Sequence, residues 1–293
     1  MTTPDFPDLL ALIEDRSAAL REAAAAAASD SKVPGCPGWS LEGLVSHLAE
    51  VQRFWGAAVA AGPATGPPDD PADERGAGED LLAWSVDSTV VLLAALDAAG
   101  PDRGCWTWWG SPAAAGAVAR HQVQEAAVHA WDAQEAAGRP WPLPTVVARD
   151  GVAEFVTVGL GSAGVWPHAP GTIALCADEG DSWRLDLGET GAALRPGPAV
   201  SSTVLPEPTV LPEPTVLPEP TVLPEPTVLP EPSVLPEPSV LPEPSVLPEP
   251  SVTVHGPASD LVLLLYGRKG LDDVRITGDR GLVERLMAWS PTD

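Results

Sequence analysis

Residues 203 to 250 are eight consecutive hexapeptides, five reading TVLPEP and three reading SVLPEP. Proline at two of every six positions removes amide donors and forces the Leu or Glu before each proline out of the helical region. The tract is therefore expected to be extended and polyproline-like, with a reach of roughly 150 Å at ~3.1 Å per residue. It cannot build a core. Any folded body must come from the remaining 245 residues (293 − 48). The tract is read as a tolerated insertion, with a spacer or docking segment as the functional alternative.

The first half of the chain is helical in pattern. Residues 7 to 29 carry apolar side chains at helical spacing. A second helix opens after the turn VPGCPGW, with Ser40 as N-cap and Glu42 near the positive end of the helix dipole. A third covers about 79 to 99 and stops at Gly100-Pro101. The fourth runs from about Ala114 to Ala137, free of proline and closed by Gly138-Arg139-Pro140. Four helices with apolar stripes make a four-helix bundle, an architecture whose interior can hold metal sites built from facing helices.

The fourth helix contains HQVQEAAVH, residues 121 to 129. At 100° per residue His121, Glu125 and His129 stack on one side, and Asp132 joins them three residues on, beside Val118, Val128 and Ala136. An inward face with four polar groups needs partners for each. A metal ion would supply them; a hydrogen-bonded network or a half-exposed helix is the plainer alternative. On the second helix, His47 shares its face with Leu44, Leu48, Val51, Phe54, Trp55 and Ala58, so it points into the bundle. It is either a satisfied core histidine or a ligand facing Glu125 and His129.

Composition narrows the partners. The net charge is -25, and it is still -17 without the eight glutamates of the tract (-25 + 8). Nucleic acid and anionic membrane surfaces need a basic patch, so neither is expected. Three cysteines, Cys36, Cys105 and Cys176, form no CxxC pair, which fits a reducing cytoplasm. The start MTTPDFPDLL lacks a basic, apolar leader, and no later stretch is expected to approach the ~20 apolar residues of a membrane span. A cytoplasmic protein, monomeric by expectation, is the reading.

After Pro144 the pattern changes. TIALCA (172 to 177) and SWRLDLG (182 to 188) read as antiparallel strands around the acidic turn DEGD, and VTVHG reads as a further strand. PASDLVLLLYGR reads as a buried helix closed by Gly267, and GDRGLVERLMAW as a terminal amphipathic helix. Residues 1 to 143 are thus expected to be the helical bundle. Residues 144 to 293 are expected to be a small α+β domain that the tract interrupts.

Three segments in order, VPGCPGWSLEGLVSHLAE at 33 to 50, EAAVHAWDA at 125 to 133 and VHGPASDLVLLLYGR at 254 to 268, resemble the mycothiol-dependent maleylpyruvate isomerase family of the DinB-like metalloprotein superfamily. The resemblance spans nearly the whole chain apart from the tract. It implies a DinB-like metal-binding bundle followed by a sterol-carrier-like α+β domain. It also implies a divalent metal, typically zinc, on two histidines and a glutamate, which here are His47, Glu125 and His129. His121 is assigned to hydrogen-bonding the ligands, with a place as a fourth ligand as the alternative; Asp132 is assigned to accepting a histidine N–H, with a salt bridge to Arg120 or Arg139 as the alternative. Many relatives carry His directly before the glutamate, where this chain has Gln124. Trp39, in the CPGW turn, is assigned to packing, and Cys36 beside it is read as inert and not as a reactive thiol. Arg268 of LYGR matches an arginine that relatives use for activity, and its implied role is to clamp substrate carboxylates; neutralising a helix C-terminus is the alternative.

The function implied is that of a mycothiol-dependent isomerase or S-transferase. Three protein ligands leave zinc an open position where the thiol cosubstrate could be held as thiolate. That thiolate would attack an electrophile resembling maleylpyruvate. Two other classes stay open: a non-catalytic metal-binding or regulatory protein of the same fold, and a metal-activated hydrolase using bound water.

Overall fold

The computed structural model describes residues 3–68, 75–76, 79–197 and 249–290. The repeat tract, save its last two residues, lies outside them. Four long helices come first: α1 (Phe6–Ala25), α2 (Leu41–Ala61), α3 (Leu81–Ala99) and α4 (Ala115–Ala136). Side chains cap two of them. Ser40 accepts from the Gly43 amide at the start of α2, and Asp80 accepts from the Ala83 amide at the start of α3.

Helix α1 stops four residues short of the apolar run. The carbonyls of Ser29 and Ser31 accept from the amides of Glu42 and Leu41, at 2.9 and 3.0 Å. Those amides are orphan donors at the start of α2, so the segment after the alanine-rich run serves to cap the next helix. Within the bundle α2 packs on α3 and α1 on α4.

Helix α3 corrects one expectation. Its 19 residues are long and apolar enough, by length and composition alone, to cross a membrane. Trp84, Ser85, Ser88, Thr89, Leu92 and Leu96 are its buried side, while Val86, Val90 and Val91 are exposed.

The rest combines helices with a mixed sheet. Helix α5 (Thr145–Phe155) runs into a π-helical turn, Val156–Leu160. Strands β1 (Gly171–Ala177), β2 (Ser182–Gly188), β3 (Gly191–Pro196), β4 (Val252–Gly256) and β5 (Arg275–Gly278) are ordered β3-β2-β1-β4-β5. All neighbours are antiparallel except β1 and β4, which are parallel, with Leu175 opposite Val254. Helix α6 (Ala258–Leu265) follows β4, and α7 (Arg280–Trp289) ends the described chain.

One buried cluster runs from Ile13 on α1, through Val123 and Val128 on α4 and Val152 on α5, to Leu261 on α6 and Val254 on β4. This continuity brings the C-terminal residues to α4. The end of α6 sets the direction: Gly267 adopts φ 73°, its amide bonds to the Leu264 carbonyl, and the Arg268 amide bonds to that of Leu263. That is a Schellman motif, with glycine at the one position whose left-handed conformation a side chain would strain. It turns Arg268 back towards the bundle.

Candidate metal centre

The helical period of α4 puts Glu125, His129 and Asp132 in a line, and α2 lays His47 across it. His47 Nε2 lies 3.2 Å from Glu125 Oε1, and His129 Nε2 lies 3.4 Å from the same oxygen. One donor atom each from His47, Glu125 and His129 falls within 4.8 Å of the others. Two imidazole nitrogens and a carboxylate oxygen make a donor set that fits a divalent ion of the zinc type. The His47 side chain is 30% exposed whereas that of His129 is 4% exposed. The cluster therefore opens towards solvent on the His47 side. Trp39 packs against His47 with ring centroids 4.6 Å apart, and stacks on His129 at 6.3 Å.

Behind His129 lies a second layer. His129 Nδ1 donates to Asp132 Oδ2 at 2.9 Å. Arg268 grips the same carboxylate with two donors, Nε to Oδ1 at 3.2 Å and Nη2 to Oδ2 at 3.1 Å. Its Nη1 donates to the Tyr266 carbonyl at 2.8 Å, and its Nη2 also reaches Cys36 Sγ at 3.2 Å. Cys36 in turn lies 3.5 Å from Asp132 Oδ2. Asp132 thus pairs with Arg268, while Arg120 pairs with Asp150 at 2.7 Å.

These placements change what two residues can do. A clamp for substrate carboxylates needs an open guanidinium, but the Arg268 side chain is 2% exposed and its fork faces Asp132. Cys36, read as inert from the turn it sits in, is buried in an apolar cluster with Val33, Leu41 and Leu44 and also touches Asp132 and Arg268. The separations from Cys36 to Asp132 and to Arg268 are 96 and 232 residues, and no local spacing carries that information. His121 Nδ1 lies 2.9 Å from Glu154 Oε1 on α5, and its ring packs among Trp55, Trp108 and Trp109.

The electrostatics follow from burial against pairing. Burial pushes the Glu125 carboxyl up, but its bonds to His129 and His47 outweigh this and hold it well below the usual carboxylate range. Burial would lower His129, yet Asp132, Cys36 and Glu125 together raise it well above the ordinary imidazole value. Asp132 is likewise kept low, its burial outweighed by His129 and Arg268. A fully buried carboxylate, Asp132, and a partly buried one, Glu125, flank one ring and draw in positive charge, and either a proton on His129 or a metal ion can answer that demand.

The profile of the mycothiol maleylpyruvate isomerase N-terminal domain matches residues 10–134. No curated protein matches this sequence. Among solved structures, the chain is similar to the crystal structure of a mycothiol-dependent maleylpyruvate isomerase, at TM-score 0.55 and 14% identity, over 94% of this chain and 96% of that one. A histidine-to-alanine mutant with the same description matches at TM-score 0.56 and 15% identity, with the same coverage. At these identities the structural likeness speaks for the fold, seven helices and a five-stranded mixed sheet among the described residues. Over residues 10–134 the chain thus resembles the mycothiol maleylpyruvate isomerase N-terminal domain, and over most of its length it shares the fold of those two solved structures.

Proposed function

We propose that this protein is a metal-dependent, thiol-using isomerase or S-transferase, with mycothiol as the thiol and an electrophile of the maleylpyruvate kind as substrate. The observation that carries the reading is the convergence of His47, Glu125 and His129 within 4.8 Å, at a site that opens on one side. These three residues would hold the ion, zinc by the nature of the donors. Residues 1–143 are read as the part that holds it, and 144–293 as the part that supplies Arg268.

When bound, the ion offers an open position that lowers the pKa of a thiol. The protein's own residues do the rest. Asp132 orients the ring of His129, and Glu125 lies between the two imidazoles. His47 and Trp39, both half-buried, form the rim that incoming molecules would meet. His121, held by Glu154 one helical turn before Glu125, borders the centre without belonging to the ligand set. In the isomerase version a thiolate adds to the double bond of a cis-dicarboxylate, the resulting single bond rotates, and the thiolate leaves to give the trans product. No atom is gained or lost. In the transferase version the sulfur stays on the electrophile.

The test is metal analysis of the purified protein followed by turnover assays with and without mycothiol. Thiol-dependent turnover supports the proposal. Metal-dependent turnover without thiol points to the hydrolase class, and bound metal with no turnover to a non-catalytic role.

A further inference from the structure

We infer that Arg268 is a positioning residue for the metal centre, acting through the buried carboxylate of Asp132 on the ring of His129. The inference rests on the metal reading above. It gives the C-terminal part of the chain control over how tightly the bundle holds its ion.

The geometry leaves little else for this guanidinium to do. Its fork faces both oxygens of Asp132, whose side chain is 0% exposed, and it also donates to the Tyr266 carbonyl and to Cys36. Asp132 Oδ2 accepts from His129 Nδ1 at 2.9 Å. That bond commits the Nδ1 proton to Asp132 and presents Nε2, with its lone pair, to the side where Glu125 lies. The Asp132 carboxylate has a fixed orientation because Arg268 holds it from behind by two parallel bonds. The 33–39 turn closes the remaining side. A Cβ added at Gly35 would lie 2.6 Å from Asp132 Oδ1 and 3.1 Å from Arg268 Cγ, so the pair is packed without slack.

Removing the guanidinium leaves a fully buried carboxylate without its ion partner. Relief requires Asp132 to move, and His129 loses its orientation with it. Partners of this kind are worth about 10–100-fold in metal affinity. The coupling is reciprocal: an ion that fixes His129 also favours the docked position of Arg268.

The experiment uses the full chain and measures zinc affinity by competition with a chromophoric chelator, together with the visible spectrum of the cobalt-loaded protein. Arg268→Ala, checked for folding by circular dichroism, should bind zinc about 10–100-fold more weakly and shift the cobalt bands, which loss of packing elsewhere would not move. Arg268→Lys keeps the charge without the fork and should fall between the two. The double variant Arg268→Ala/Asp132→Asn should be no weaker than Asp132→Asn alone, because both act along one path. Wild-type affinity and spectrum in Arg268→Ala would overturn the inference while leaving the metal reading intact. If Arg268→Ala does not fold, unchanged affinity and spectrum in Arg268→Lys overturn it in the same way. A wild-type protein that binds no zinc overturns the metal reading, and this inference with it.

Discussion

His129 has a carboxylate on each ring nitrogen, and in the metal-free protein a proton balances that arrangement. Its raised pKa means that its contribution to stability is full below the ordinary imidazole pKa and is lost as pH rises through the elevated folded value. Glu125 and Asp132 behave oppositely, contributing above the usual carboxylate range and losing that contribution as pH falls through their lowered values. An ion held as proposed would replace the His129 proton, so the gap in melting temperature between zinc-loaded and chelator-treated protein should widen as pH rises from 6 to 8, about the range over which imidazoles exchange protons for metal. A gap that widens towards acid would contradict the assignment. At Gly35, a methyl group meets Asp132 Oδ1 at 2.6 Å. Gly35→Ala should therefore cost about 1–3 kcal/mol in thermal or denaturant unfolding, and an unchanged midpoint would show that the turn has room. The inward placement of His47, Glu125, His129 and Asp132 is legible in the sequence, because a 3.6-residue period sets them on shared faces; their reading as a ligand set comes from the family resemblance. The bond from His129 to Asp132, three residues apart, is legible in the same way; the contacts of Cys36 and the ion pair of Asp132 with Arg268 are not, since they close between segments far apart in the chain.

Among the elements, the helices with strong boundary signals are the readable ones. Ser40 and Asp80 start α2 and α3 through side-chain caps, Gly100 and Gly267 end α3 and α6, and apolar spacing fills the interiors. The cap on α2 has a consequence for the site, since that helix carries His47. Ser40→Ala removes the acceptor for the Gly43 amide at 3.2 Å. It should lower stability by about 1 kcal/mol, while zinc affinity of the folded protein stays within about twofold, because two backbone carbonyls still hold the first turn. A large loss of affinity without loss of stability would contradict this. Helix α5 and strands β3 and β5 go unread in the sequence. Strands β3 and β5 have only 6 and 4 residues, and the parallel partner of β1 lies beyond the repeats, where no turn signal can announce the pairing.

At the level of the whole molecule, the sheet order sets a requirement on the segment between β3 and β4. Two strands, β2 and β1, lie between them, so a connection must cross three strand spacings, roughly 15 Å, and, because β3 and β4 run in the same direction, also return a few residues along the sheet. An eight-residue Gly/Ser linker reaches ~26 Å when extended, enough to replace residues 203–250. The shortened protein should keep its helicity and its metal content, since loop length affects closure entropy only logarithmically; misfolding would make the tract a structural element. One buried cluster joins the N-terminal bundle to the C-terminal sheet and α6, and a second, with Leu44, Leu48, Ala126 and Ala130, backs the candidate centre of His47, Glu125 and His129. Elemental analysis of the purified protein tests this most directly, comparing wild type with Glu125→Ala after expression in zinc. The expected result is about one equivalent of zinc in the wild type and almost none in the variant. Wild-type protein without metal, or a variant that retains the full equivalent, would contradict it.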